Sequence, residues 1–132
     1  MKYVVDTHAL IWFLEGNARI GTNAKIILSE PTSQLILPAI ALAEAAWIVE
    51  RGRTSIPSVM DLISAVETDA RVVIYPLDKA VFKQSVSLST IGEMHDRQIV
   101  ATTLVLASQN EMVALLTCDR NITASGLVKI IW

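Results

Sequence analysis

Short, continuously apolar runs alternate with stretches of helical periodicity along this chain. Lys2 to Val5, Gln34 to Leu37, Val72 to Tyr75 and Val113 to Leu116 lean apolar without strict alternation, as parallel strands covered on both faces do. Val128 to Ile131 is a shorter fifth run of that kind. Between them the pattern predicts helices: Thr7 to Leu14, ending at Glu15-Gly16-Asn17, and Asn23 to Ser29, capped by Thr22 and stopped by Pro31. Pro38 suits a first helical position and opens a helix to about Arg51; Pro57 opens another, ending near Thr68-Asp69. Asp78 caps a helix to about Val86, and Asp96 to Gln109 is helical with Ile99, Val100, Leu104, Val105 and Ala107 on its apolar face. Strands alternating with helices predict an α/β fold with a parallel sheet flanked by helices. With no repeats or linkers, residues 1–132 read as a single domain large enough to bury a core.

Composition adds a partner. A hydrophobic share of 52% and mean hydropathy of +0.48 exceed what a soluble monomer of this size needs, and surplus apolar surface marks interfaces. A homodimer or a bound partner is expected, with Leu10, Ile11, Trp12, Leu14 and the helix from Pro57 as the candidate surface. The net charge of −2 excludes a generally basic nucleic-acid coat but allows a basic rim around an acidic pocket. The lone cysteine, Cys118, forms no internal disulfide and fits a reducing cytosol; it reads as a small core residue. Leu35 to Val49 is interrupted by Pro38 and Glu44 and is too short to span a bilayer, while Asp6 and Glu15 break up a signal-peptide core. The expected location is cytoplasmic, with no membrane contact.

Four acidic residues stand in odd places. Asp6 ends the first strand and leads into a helix, so it is either a cap or a ligand. Asp119 likewise ends the apolar strand Val113 to Leu116 and precedes a turn, where a turn or cap residue is the bland reading. Thr117, two residues earlier, points to the same side if both are extended. Glu44 sits in an apolar helix with no lysine or arginine at positions 40, 41, 47 or 48. Asp96 starts a helix, where an N-cap is the ordinary explanation. Each has a bland reading alone, but a parallel sheet brings such positions to one edge. Carboxylates about 5 Å apart repel by roughly 3 kcal/mol per pair at an effective dielectric near 20. Such a group calls for protonation or a cation, and an all-oxygen set selects Mg²⁺ or Mn²⁺ over zinc, ions that serve phosphate chemistry.

The segments Val5-Asp6-Thr7-His8-Ala9-Leu10-Ile11-Trp12, Leu42-Ala43-Glu44, Asp96-Arg97-Gln98-Ile99-Val100-Ala101-Thr102 and Leu116-Thr117-Cys118-Asp119 make the chain resemble the PIN-domain ribonucleases. Within them it resembles the toxin half of VapBC-type toxin–antitoxin pairs. The resemblance implies a three-layer α/β/α sandwich around a short central parallel sheet, Mg²⁺- or Mn²⁺-dependent cleavage of RNA, homodimers, and inhibition by a small antitoxin protein. It also implies that Asp6, Glu44 and Asp96 are core metal-site acids, that Asp119 is the fourth, and that Thr117 is the hydroxyl orienting a carboxylate or water. Many relatives carry a longer His-Asp-Pro-x-Asp-Arg approach to the third acid, shortened here to Met94-His95-Asp96-Arg97.

Direct attack by water on the phosphodiester fits these residues, with a carboxylate or metal-bound hydroxide as base. Thr7, Arg51, Arg53, Arg97 and Arg120 are candidate substrate contacts, although solvated or locally paired charge is the better explanation of any single arginine. His8 and His95 read as structural imidazoles, and Trp12 and Trp47 as core or interface residues. A phospho-receiver switch is disfavoured because Asp6 lacks an acidic neighbour and the central strands run into Pro38 and Pro76. A non-catalytic PIN-fold module binding RNA or protein is the remaining alternative.

Overall fold

In the computed structural model, which describes residues 1–132, every apolar run becomes a strand of one sheet. These are β1 (Lys2–Val5), β2 (Gln34–Pro38), β3 (Val72–Tyr75), β4 (Val113–Leu116) and β5 (Ile130–Ile131). The helices are α1 (Thr7–Glu15), α2 (Thr22–Ser29), α3 (Ala39–Glu50), α4 (Val59–Glu67), α5 (Lys79–Val86), α6 (Met94–Ser108) and α7 (Arg120–Ser125). All strand pairs are parallel, in the order β3-β2-β1-β4-β5. Right-handed crossovers then put α1 to α4 on one face and α5 to α7 on the other, the three-layer α/β/α arrangement. Both faces being covered explains the unalternating strands: Val4 and Val5 are both buried, as are Leu35, Ile36 and Leu37.

The core joins these strands to Ile99 and Val100 of α6, Ala41 and Ala45 of α3, and Leu62 of α4. Each large side chain so buried contributes roughly 1.5–3 kcal/mol. Helix ends follow local chemistry. Gly16 closes α1 in the left-handed region at φ 66°, which costs a residue without Cβ nothing. At Gly21 any Cβ would lie 2.4 Å from the Trp132 carbonyl carbon, so the last residue packs directly on the start of α2.

Several expectations are corrected. Pro38 ends β2 and precedes α3 rather than occupying its first turn. Pro57 lies outside α4, which Ser58 caps by accepting the Asp61 amide at 3.1 Å. Strand β5 begins at Ile130, not Val128, and the turn expected after Asp119 is the short helix α7. Leu10 and Ile11 are core residues, not an interface; Cys118, expected inside, is exposed. The surplus apolar surface lies mainly elsewhere, including Val73 and Ile74 on the edge strand β3 and Phe82 and Val86 on α5. No helix is long and apolar enough to cross a membrane.

Candidate metal centre at the carboxyl edge of the sheet

Strands β1 and β4 are neighbours, with Val5 opposite Leu116, so Asp6 and Thr117 are the next residues on adjoining strands. The chain order reverses here, β2 and β3 lying to one side and β5 to the other, and such a switch point opens a crevice at the strands' carboxyl ends. The Asp6 amide donates to the Leu116 carbonyl at 3.2 Å, extending the ladder by one residue. Thr117 donates its hydroxyl to Asp6 Oδ2 at 2.5 Å, and the Thr7 amide donates to Oδ1 at 2.7 Å. Burial raises the Asp6 pKa, and those two hydrogen bonds only partly offset it. Thr117 Oγ1 also accepts the Asp119 amide at 3.1 Å, tying the two strand-end acids together. Asp119 caps α7, its Oδ1 accepting the Ile122 amide at 2.8 Å.

Helix α6 feeds β4 and so runs against the strands, which places its first turn at this same edge. Its cap is Glu93, whose carboxylate accepts the Asp96 amide at 2.9 Å. The ordinary cap explanation for Asp96 is thereby removed. No hydrogen-bond donor or basic side chain meets the Asp96 carboxyl, and its pKa is pushed up to about 7, by burial first and then by Asp119, Asp6, Glu93 and Glu44. Glu44, on α3, stands 3.4 Å from His95 Nδ1, which is also 2.8 Å from Glu93. For Glu93 burial alone acts upward, but the Asp96 amide and His95 outweigh it and hold its pKa below the usual value. Every lysine or arginine ion pair lies away from this edge, at Lys2–Glu111 and Arg71–Asp69.

Asp6, Glu44, Asp96 and Asp119 therefore share one edge and one negative field that no lysine or arginine offsets, His95 being the basic group beside Glu44. They do not form a closed ligand cage: no three of the His, Cys, Asp and Glu side chains converge tightly enough to hold an ion. The donor set still fits a hard divalent cation, because it is all oxygen and no lysine or arginine pairs with it.

The PIN-domain family model matches residues 3–125. The chain belongs to the PIN-domain family. Among the solved structures that share this fold are the following three. VapC20 from Mycobacterium tuberculosis, a sarcin–ricin loop cleaving toxin, superposes with a TM-score of 0.67 at 15% identity, over 97% of this chain and 98% of its own. FitAcB from Neisseria gonorrhoeae gives 0.63 at 16% identity, over 98% and 96%. FitAB bound to an IR36 DNA fragment gives 0.56 at 20% identity, over 98% and 93%. A comparison with curated proteins finds no match.

The other candidates of this PIN domain separate. Thr7 is fully buried and out of a substrate's reach, its hydroxyl oxygen without a hydrogen-bond partner. Arg97 is committed to the Ile91 carbonyl, to which its Nε donates. Arg120 is exposed at the start of α7, Arg53 lines a groove beside Glu44, and Arg51 lies over the Trp47 ring, 4.3 Å from its centroid. Partial burial, followed by Asp6 and Asp119, raises the Cys118 thiol pKa, the wrong direction for a nucleophile. Glu93 and His95 were missed from the sequence as parts of this edge. The three-residue step from Glu93 to Asp96 is the only capping signal that points to them.

Proposed function

We propose that this PIN domain is a metal-dependent endoribonuclease acting as the toxin of a toxin–antitoxin pair. The observation that carries the reading is the gathering of strand-end and helix-start acids at one edge. There Glu93 takes the cap of α6 and leaves the Asp96 carboxyl without a donor or basic partner among four other acids. Membership of a family whose members are generally nucleases supports it, as does fold similarity to a toxin that cleaves the sarcin–ricin loop.

Asp6, Glu44, Asp96 and Asp119 would hold Mg²⁺ or Mn²⁺. Bound there, the ion supplies Lewis acidity at the phosphate and neutralises the edge. Thr117 fixes the rotamer of Asp6 through the hydroxyl donated to Oδ2 and so acts as a positioning residue. A carboxylate of the same edge accepts the proton of the attacking water, and the rim arginines Arg53 and Arg120 receive the flanking phosphates.

One observation favours the rival reading, a PIN module that binds RNA or protein without cutting: the acids stand short of a closed cage. RNA cleavage with Mg²⁺ or Mn²⁺ present, and after removal by a chelator, separates the two. Cleavage lost on chelation and restored by either ion is expected; RNA bound but intact at every ion concentration would refute the nuclease reading.

An antitoxin protein and a homodimer complete the proposal. The dimer rests on the exposed apolar residues Val73 and Ile74 of β3 and Phe82 and Val86 of α5. Equilibrium sedimentation at micromolar concentration is expected to give twice the chain mass, and a strict monomer contradicts it.

A further inference from the structure

Beside the acids lies a groove of about 600 Å³ lined by His8, Ile40, Glu44, Trp47, Arg53 and His95 among others. Its volume falls in the range of small-ligand sites. Trp47 stands three residues after Glu44 on α3, one helical turn along the same face, and 48% of it is exposed. A tryptophan of a helix core would be covered, so of the two expected roles, core or interface, the core one is excluded. The Arg51 guanidinium lies over its ring at 4.3 Å from the centroid, which props the indole and brings a cation to it. Arg53 is anchored as well. Glu15, at the end of α1, accepts the Thr54 hydroxyl at 2.7 Å and the Ser55 amide at 3.0 Å, pinning the loop that carries Arg53.

We propose that this groove receives one nucleobase of the RNA strand, stacked on Trp47, next to the phosphate held at the acidic edge. The proposal rests on the nuclease reading and adds a subsite to it. Unpaired bases are recognised by stacking on aromatic rings and arginine planes, and Trp47, His8 and Arg53 of the lining supply those groups, with Arg51 backing the indole. Four of the eight lining residues carry polar groups, two imidazoles, a guanidinium and a carboxylate, beside an otherwise apolar wall. That combination suits a base, whose apolar ring face meets the wall while its hydrogen-bonding edges and the flanking phosphates meet the polar groups.

The test is fluorescence anisotropy with a fluorescein-labelled, mixed-sequence single-stranded RNA decamer. All proteins carry Asp6→Asn so that the strand stays intact. Trp47→Leu, which keeps an apolar side chain, is expected to weaken binding about tenfold, in the range of one lost aromatic–base stack. Trp47→Phe is expected to stay within about threefold of the parent, which a general folding defect would not allow. Equal binding by the Leu variant and the parent overturns the subsite and returns the groove to another occupant, such as a partner protein. If metal-dependent RNA cleavage by the protein with Asp6 intact persists in that case, only the subsite falls. If neither cleavage nor binding is seen, both readings fall.

Discussion

Asp6→Asn is expected to lower RNA cleavage by about a thousandfold while leaving the fold intact. Removing a group that only supports a ligand typically costs 10–100-fold, and Asp6 is proposed as a ligand itself. The fold survives because asparagine keeps an oxygen to accept the Thr7 amide, now 2.7 Å from Oδ1. The Thr117 hydroxyl, which donates to Oδ2 at 2.5 Å, can rotate to accept from the new amide group. Burial raises the pKa of Asp6, so a neutral isostere relieves a cost and the melting temperature holds or rises. Thr117→Val in the same assay is expected to lose about 10–100-fold, because Asp6 then sits buried without its side-chain donor. Cleavage by Asp6→Asn at the parental rate, in a protein that melts as the parent does, removes Asp6 from the mechanism.

The second large effect is a fall in stability of the metal-free protein as pH rises. Asp96 has a folded pKa of about 7 against an ordinary 3.8, so between those values the folded state binds more protons than the unfolded one. Stability then decreases with rising pH across that window, being fullest below about 4 and lost by about 7. Asp6 is raised too and adds in the same direction. The whole Asp96 displacement corresponds to about 4 kcal/mol; screening of a partly exposed carboxyl leaves roughly 1–2 kcal/mol. Thermal melts in chelator at pH 5 and pH 7.5 are expected to differ by several degrees. Asp96→Asn is expected to flatten that dependence and to melt higher than the parent at pH 7.5. An unchanged pH profile in the variant places the raised pKa elsewhere.

Strand positions, most helix spans and the four acids can be read from the chain, because each depends on local apolar runs or on a residue out of place in its segment. Glu44 is conspicuous on α3 since nothing basic lies one turn away. What the chain does not reveal is adjacency. That β4 lies against β1, putting Thr117 beside Asp6, follows from sheet order and not from any run of residues. Glu93 as the cap of α6 escapes because glutamate is an uncommon cap, and Asp96, the better capping residue, stands three positions on. Helix α7 was missed because six residues carry no resolvable period. The interface expectation failed at Leu10 and Ile11 because apolar surplus says how much surface is sticky, not where it lies; α1 turns those two side chains into the core.

Calorimetric titration with Mn²⁺ at pH 6.5, in two buffers of different ionisation enthalpy, decides whether these carboxylates bind a hard divalent ion as proposed. Saturable binding with release of protons is expected, since Asp96 near pKa 7 is partly protonated at that pH, together with loss of that proton release and much weaker binding in Asp96→Asn. No saturable binding by the parent, or equal affinity in the variant, would remove the ion from this edge.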